Sequence, residues 1–477
     1  MADIPQEQLS LIHSNECRLY SRRWIMLAIF MSLQFSNGLM WVQYASISDD
    51  IQMHFDVSMP TIDTFSAIYG IAYIMLIFLA LFILERKGLK VIAMCCGGLH
   101  LVGSWIRYVG ILFQNSIYVS LIGQTLCGIA HTCCAGMASQ VSGTWFGSNE
   151  VSLACALGFT AFNFGIATGF LTPYIFHNQN NIGRKLQFIF LGTAIFMSVI
   201  FPIIAFIFED KPPFPPSVQK KNSVYGKQDT LSKSIKVIMM NRNFMLLAIA
   251  SGLCIGQSTV ITVKVKDIFL YSYPNKGNIV GPMVFFSILL VIVGSVAVGW
   301  MLDKTKQYSL TTRVTVLLVF VTFVCFTISM QYEYFWCSIV FFSIYYVFAR
   351  IFFTIGFEHG AELTYPESES LSASLIVFIV EITSYLSVYM YDIILENWNL
   401  LAANCFTCIM CVIPIFMTIL IKTDNKRHKA DSIENYFQLH TENNNVSDDN
   451  KSMLNRCVVV FMNKFVAGCS IFGHRSS

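Results

Sequence analysis

Charge is what this chain has least of. Only 12% of its 477 residues are Asp, Glu, Lys or Arg, where a soluble domain carries about 25%. That deficit excludes a water-facing surface over most of the length. Catalytic signatures are missing too. The sequence has no phosphate-cradling glycine loop, no HExxH zinc helix and no nucleophile elbow, so neither an enzyme nor an ATP-driven pump is expected. No cofactor and no nucleic-acid partner are expected either. A cleavable leader is not expected: the first twenty or so residues are polar and mixed in charge, and the first apolar run is too long for a signal segment. Fifteen cysteines lie mostly inside apolar runs, where cysteine acts as a small hydrophobe. Even Cys405, Cys408 and Cys411 have no nearby His or acid in their run, which favours packing over metal binding.

What the chain does have is length in oil. It is 55% hydrophobic with mean hydropathy +0.59, and uncharged runs of about 20 residues recur, each able to cross roughly 30 Å of hydrocarbon. Helices are the only sensible choice, because in lipid each backbone N–H and C=O must be satisfied within its own segment. The fold expected is an all-α membrane protein of twelve helices in two pseudo-symmetric six-helix bundles. The spans are read at 24–46, 61–84, 88–112, 116–145, 150–175, 187–208, 244–270, 279–302, 308–330, 335–358, 370–392 and 399–422. The corresponding divisions are a cytoplasmic segment 1–23, bundles 24–208 and 244–422, a linker 209–243 and a tail 423–477. Within the linker, "TLSKSIKVIMMNRN" has the pattern of a short amphipathic surface helix; near the end, "CVVVFMNKFVAGCSIF" reads as interfacial.

Basic residues set the orientation. About twenty flank one set of loops, among them Arg22, Arg23, Arg86, Lys87, Lys304 and Arg313, against Arg184, Lys185 and Lys276 on the other. Both termini are therefore expected in the cytoplasm. The halves echo each other. "LERKGLK" after span two matches "LDKTKQYS" after span eight, and "WFGSNEVSLACAL" matches "TYPESESLSASLI". Such duplication is how many transporters are built. Arg86, Lys87, Asp303, Lys304, Glu150, Glu367 and Glu369 sit in these paired loops and are expected to gate or to brace the bundles.

A charge at mid-bilayer costs about 2.5–3.5 kcal/mol, so each deep polar residue needs an account. Glu381 is central in span eleven; it reads as a cation ligand or proton carrier, or as a structural partner of Arg350 in span ten. His131, mid-span in "GQTLCGIAHTCCAGM", is either a buried neutral imidazole or a hydrogen-bonding site residue. Trp41 would belong to an interfacial aromatic belt on position alone. Gln43 and Tyr44 accompany it, however, and an indole face is the best uncharged partner for a cation that cannot donate hydrogen bonds, worth roughly 2 kcal/mol when dry.

At this point a family is legible. "SRRWIMLAIFMSLQFSNGLMWVQYASIS", "GQTLCGIA", "VSGTWFGSNEVSLACA", "GWMLDKTKQYSLTT" and "GFEHGAELTYPESES" resemble the feline leukaemia virus subgroup C receptor-related family of the major facilitator superfamily, from about residue 22 to 422. The resemblance implies halves rocking about a central site, and a substrate such as choline or ethanolamine, or haem. It also implies a helix-one tryptophan stacked on the ammonium head, which is Trp41 here. The family's amides on helices four and eleven fall on His131 and Glu381, two departures that place a titratable pair where the family has glutamines. The leading expectation is a carrier of a small organic cation, with Trp41, His131 and Glu381 around it and Gln43 and Tyr44 on the outer approach. A haem or porphyrin exporter, leaning on Arg350, and a non-transporting sensor or scaffold stand as alternatives. A monomer in the plasma membrane is expected.

Overall fold

The computed structural model describes residues 19–113, 117–134, 136–147, 150–175, 181–214, 231–274, 276–305, 307–365 and 367–422. The interfacial reading near the C-terminus and most of the linker lie outside these residues. The first half contains α1 (Arg23–Ser46), α2 (Ser48–Phe55), α3 (Met59–Lys87), α4 (Leu89–Leu112), α5 (Ile117–Cys133), α6 (Met137–Trp145), α7 (Val151–Ile175) and α8 (Ile182–Ile207). The second contains α9 (Leu231–Met240), α10 (Arg242–Val263), α11 (Val265–Ser272), α12 (Gly277–Thr305), α13 (Tyr308–Gln331), α14 (Phe335–Thr364), α15 (Glu369–Asn397) and α16 (Leu400–Leu420). Eleven of these helices are long and apolar enough to cross a membrane, and α5 with α6 makes a twelfth crossing bent by 42°.

Local chemistry sets several helix starts. Asn181, Asn241 and Asn399 each accept backbone N–H bonds at the head of α8, α10 and α16, satisfying donors that have no intrahelical partner. The head of α4 borrows its cap: Asp210 accepts from the Leu89 and Lys90 amides at 2.5 and 3.2 Å. The chain enters that turn through Gly88 at φ +87°, a backbone region that L side chains rarely adopt.

The packing repeats itself. In the first half α1 packs on α7, α3 on α5, α4 on α5 and α4 on α8; in the second, α10 packs on α15, α12 on α14, α13 on α14 and α13 on α16. These are the same four pairings six spans later. The halves then meet through α7 against α12 and α3 against α15. The α1–α7 crossing is tight enough that their backbones touch. A Cβ on Gly38 would collide with the Phe162 carbonyl, and one on Gly165 with the Phe35 carbonyl, the small-residue approach that substitutes for hydrophobic drive in lipid.

Two spans differ from the sequence reading. The fourth breaks at Gly136, which takes φ +70°. The seventh, read as one segment to 270, ends at Val263 and restarts as α11. Apolarity continues across both breaks, so hydropathy passes over them. Helix α9 is the amphipathic segment expected in the linker: Ile238 is buried, Leu231, Ile235 and Met239 pack towards Leu371 and Leu375, and Lys233 and Lys236 are exposed.

Candidate functional site

A cavity of about 630 Å³ lies between the halves, with Asn37, Trp41, His131, Arg350, Phe357 and Glu381 among its walls. Helix α1 brings Trp41, held by the glycine-tight contact with α7 and set against Phe162 at 6.4 Å between ring centroids. Helix α5 brings His131 in its last turn, just before the bend. The Asn37 amide nitrogen lies 2.9 Å from His131 Nδ1; an amide nitrogen only donates, so this ring nitrogen accepts and Nε2 holds the proton of the neutral ring. Tyr69, Tyr73 and Phe162 surround the imidazole at 5.6, 5.8 and 5.9 Å.

Glu381 enters from the other half on α15. Its Oε2 occupies the space a side chain at Gly70 would need, 2.7 Å from the position of a Cβ there. Arg350 shares the cavity but is directed elsewhere. Its Nη2 donates to Thr262 Oγ1 at 3.3 Å and its guanidinium lies 5.3 Å from the Tyr346 ring centroid. Glu381 and Arg350 therefore form no ion pair, and Arg350 Nε is buried without a partner. A carboxyl and a guanidinium thus line one chamber without touching each other.

Contacts between the halves stand at both ends of the chamber. At one end Lys264 Nζ lies 2.5 Å from Asp63 of α3 and 3.0 Å from Asp392 of α15, and Lys266 lies 2.6 Å from Asp49. Burial pushes the Asp267 carboxyl of α11, beside this latch, up to about 6, with Asp63 and Asp49 adding to the rise and Lys264 and Lys266 opposing it. At the other end Phe159 stacks on Phe357 at 5.4 Å, and Ser370 Oγ donates to the Gly136 carbonyl at 3.3 Å.

Not every residue singled out in the sequence reaches the chamber. Gln43 and Tyr44, expected on the outer approach, face the interior of the first half instead. Gln43 lies about 200° round the helix from Trp41 at 3.6 residues per turn. Its Oε1 accepts from Arg107 Nη2. The Tyr44 ring packs on Phe65 and Phe190 and lies 5.0 Å from the same guanidinium. Arg107 itself, fully buried on α4, was visible as a basic residue deep in span three. Asp392, the third member of the latch, was visible as an acid late in span eleven. Both were passed over.

The loop residues sit apart from the cavity. Arg86 and Lys304 lie over the rings of Phe82 and Trp300 at 5.5 and 5.2 Å. Lys87 is exposed, and Asp303 sits in the last turn of α12. Glu150 pairs with Arg23 at 3.1 Å within the first half. The Glu367 amide donates to the Thr364 carbonyl at 3.0 Å, and Glu369 opens α15.

Residues 25–361 match the Major Facilitator Superfamily. The chain is 32% identical over 434 residues to the choline/ethanolamine transporter flvcr2a of Danio rerio, covering 89% of this chain and 92% of that protein. It is 28% identical over 449 residues to the human choline/ethanolamine transporter FLVCR2, covering 92% and 84% respectively. Among solved structures, the xylose transporter XylE from E. coli in a partially occluded inward-open conformation aligns with TM-score 0.67 and 10% identity, covering 84% of this chain and all of that one.

Proposed function

The chain belongs to the feline leukaemia virus subgroup C receptor-related branch of the Major Facilitator Superfamily, and from that premise we propose that it carries a small ammonium compound of the choline or ethanolamine kind across a membrane by alternating access. The observation that supports this best is the chamber between the halves, where the Trp41 indole and the Glu381 carboxyl, which no base contacts, line one space. Trp41 supplies the face for a trimethylammonium group, a contact worth roughly 2 kcal/mol when water is excluded. Glu381 supplies the counter-charge, and in a low-dielectric chamber that attraction is far stronger than in water. His131, with Nδ1 occupied by Asn37, offers Nε2–H to a substrate hydroxyl. Exchange between the two sides needs the Lys264 latch and the Phe159–Phe357 closure to open in alternation. The basic-loop pattern supports a latch that faces outside and termini in the cytoplasm, and the plasma membrane is the proposed site of action. One copy holds the whole chamber, which fits a monomeric carrier.

Arg350 gives the porphyrin-export reading its one support, a cation facing the same chamber. Uptake of radiolabelled choline and ethanolamine, and release of haem, in cells expressing the wild type, Trp41→Ala and Glu381→Gln separates the two. Choline uptake lost in Trp41→Ala supports the carrier. Choline flux unchanged in both variants, with altered haem release, supports export. Absence of all flux at normal surface level leaves a sensor or scaffold.

A further inference from the structure

The chamber is larger and less closed than a small ammonium ion requires. Its volume falls in the roughly 300–1,000 Å³ range that holds drug-sized ligands. Its walls also extend sideways. Helices α3 and α15 touch at Gly70 against Glu381, at Tyr73 OH to the Ser374 carbonyl (3.4 Å), and at Phe78 against Phe378 (5.5 Å between centroids). Beside Glu381 the lining includes Ile71 of α3, and towards the Lys264 end it passes onto Thr64 and Ile68 of α3 and Tyr385, Tyr389 and Ile393 of α15. Tyr385, Tyr389 and Ile393 are 42, 59 and 36% exposed while lining the cavity, and Leu386 and Met390 beside them, 54 and 42% exposed, lie outside its lining and face the bilayer. The chamber therefore continues as a slot between α3 and α15 that reaches the hydrocarbon on the latch side.

The charges at the slot's inner end are of both signs. A bare cation at Glu381 would share the chamber with the Arg350 guanidinium, whose Nε has no partner. Arg350 bonds Thr262, next to the last residue of α10, so its guanidinium lies on the latch side of the chamber, as the slot does. A head group with an ammonium at its tip and an anionic group behind it matches this order, and a single hydrocarbon chain behind that would lie in the slot.

We infer that this site also accepts a single-chain amphiphile with a zwitterionic head: the ammonium between Trp41 and Glu381, the anionic group towards Arg350, and the chain leaving between α3 and α15 into the bilayer. The inference rests on the proposed ammonium site and widens its substrate class from soluble amines to membrane-resident ones. Apolar burial adds little for a chain already in lipid, so selectivity resides in the head.

The test uses the full chain in proteoliposomes and a lysophosphatidylcholine with a diazirine at the chain end, set beside a lysophosphatidate with the same chain and no ammonium. Labelling mapped by mass spectrometry should concentrate on α3 and α15 near Ile71 and Tyr389. Decylphosphocholine below its micellar concentration should compete it away, and the lysophosphatidate should label there at least ten-fold less. Ile71→Trp should cut the competed labelling at least ten-fold, and Ile71→Ala should retain it. Equal labelling by the ammonium-free lipid, or labelling spread around the whole lipid-facing belt, overturns the inference. Choline uptake in the same vesicles keeps the two readings separate: uptake without focused labelling removes only the lateral slot, whereas absence of both removes the ammonium site as well.

Discussion

Removing the Lys264 side chain should unlatch one end of the carrier. Lys264 Nζ stands 2.5 Å from an Asp63 oxygen and 3.0 Å from an Asp392 oxygen, so those two oxygens are at most 5.5 Å apart. In Lys264→Gln two carboxylates from opposite halves face each other with no cation between them. Their repulsion at that separation is about 3 kcal/mol at an effective dielectric of 20 and about 0.8 kcal/mol in bulk water. The two side chains are 22 and 27% exposed, which places the cost between those limits. A loss of about 1–3 kcal/mol from the latched state raises the open fraction roughly 5- to 150-fold. Cys134 lines the chamber and reports on access. An impermeant cationic thiol reagent is applied to intact cells at pH 7.5, and Cys134 modification is measured by mass spectrometry. Its rate should rise within that range in Lys264→Gln, and adding Asp63→Asn should reverse most of the gain by removing one of the two charges. An unchanged rate at normal surface level would refute the reasoning, because the latch would then contribute nothing to closure.

Three further outcomes are expected. Trp41→Ala should raise the choline KM about 30-fold, the equivalent of roughly 2 kcal/mol of cation–π contact, with surface expression unchanged. Gly70→Ala puts a Cβ 2.7 Å from Glu381 Oε2; it should displace the carboxylate and lower choline uptake about as far as Glu381→Gln does, and the double variant should be no worse than either, since both act on one contact. External pH should act through Asp267. Burial there disfavours the charged form, so proton uptake favours the latched state below about 6, and that support is lost as pH rises through about 6. Measured relative to Asp267→Asn at the same pH, which cancels the rise in thiolate with pH, Cys134 modification from outside should therefore increase between pH 5 and 7 in the wild type.

Much of the architecture was legible because the bilayer enforces it. Twelve crossings, their helical form and the echo between halves follow from run length and backbone hydrogen bonding, neither of which depends on tertiary detail. The breaks at Gly136 and Lys264 were not legible in hydropathy. Gly136 turns an otherwise apolar run through a positive φ, and Lys264 is a charge whose position is set by Asp63 and Asp392, 201 and 128 positions away in sequence. A single strand of letters carries no information on which acid a lysine will meet across an interface.

The site divides along the same line. Trp41, His131 and Glu381 could be named because a polar or aromatic group deep in a span is rare enough to need a reason. Gln43 and Tyr44 satisfied the same rule and went the other way, into the first half around Arg107. What separates the two groups is angular phase, and phase is fixed by which stripe of α1 the glycines present to α7. Gly38 lies one turn from Trp41 on that stripe and meets Phe162 of α7, the residue whose ring faces Trp41. Gln43 and Tyr44 fall off that line. Packing is what aims the indole: the close approach of α1 and α7 sets the rotation that sends Trp41 to the chamber and leaves Arg107 to claim its neighbours.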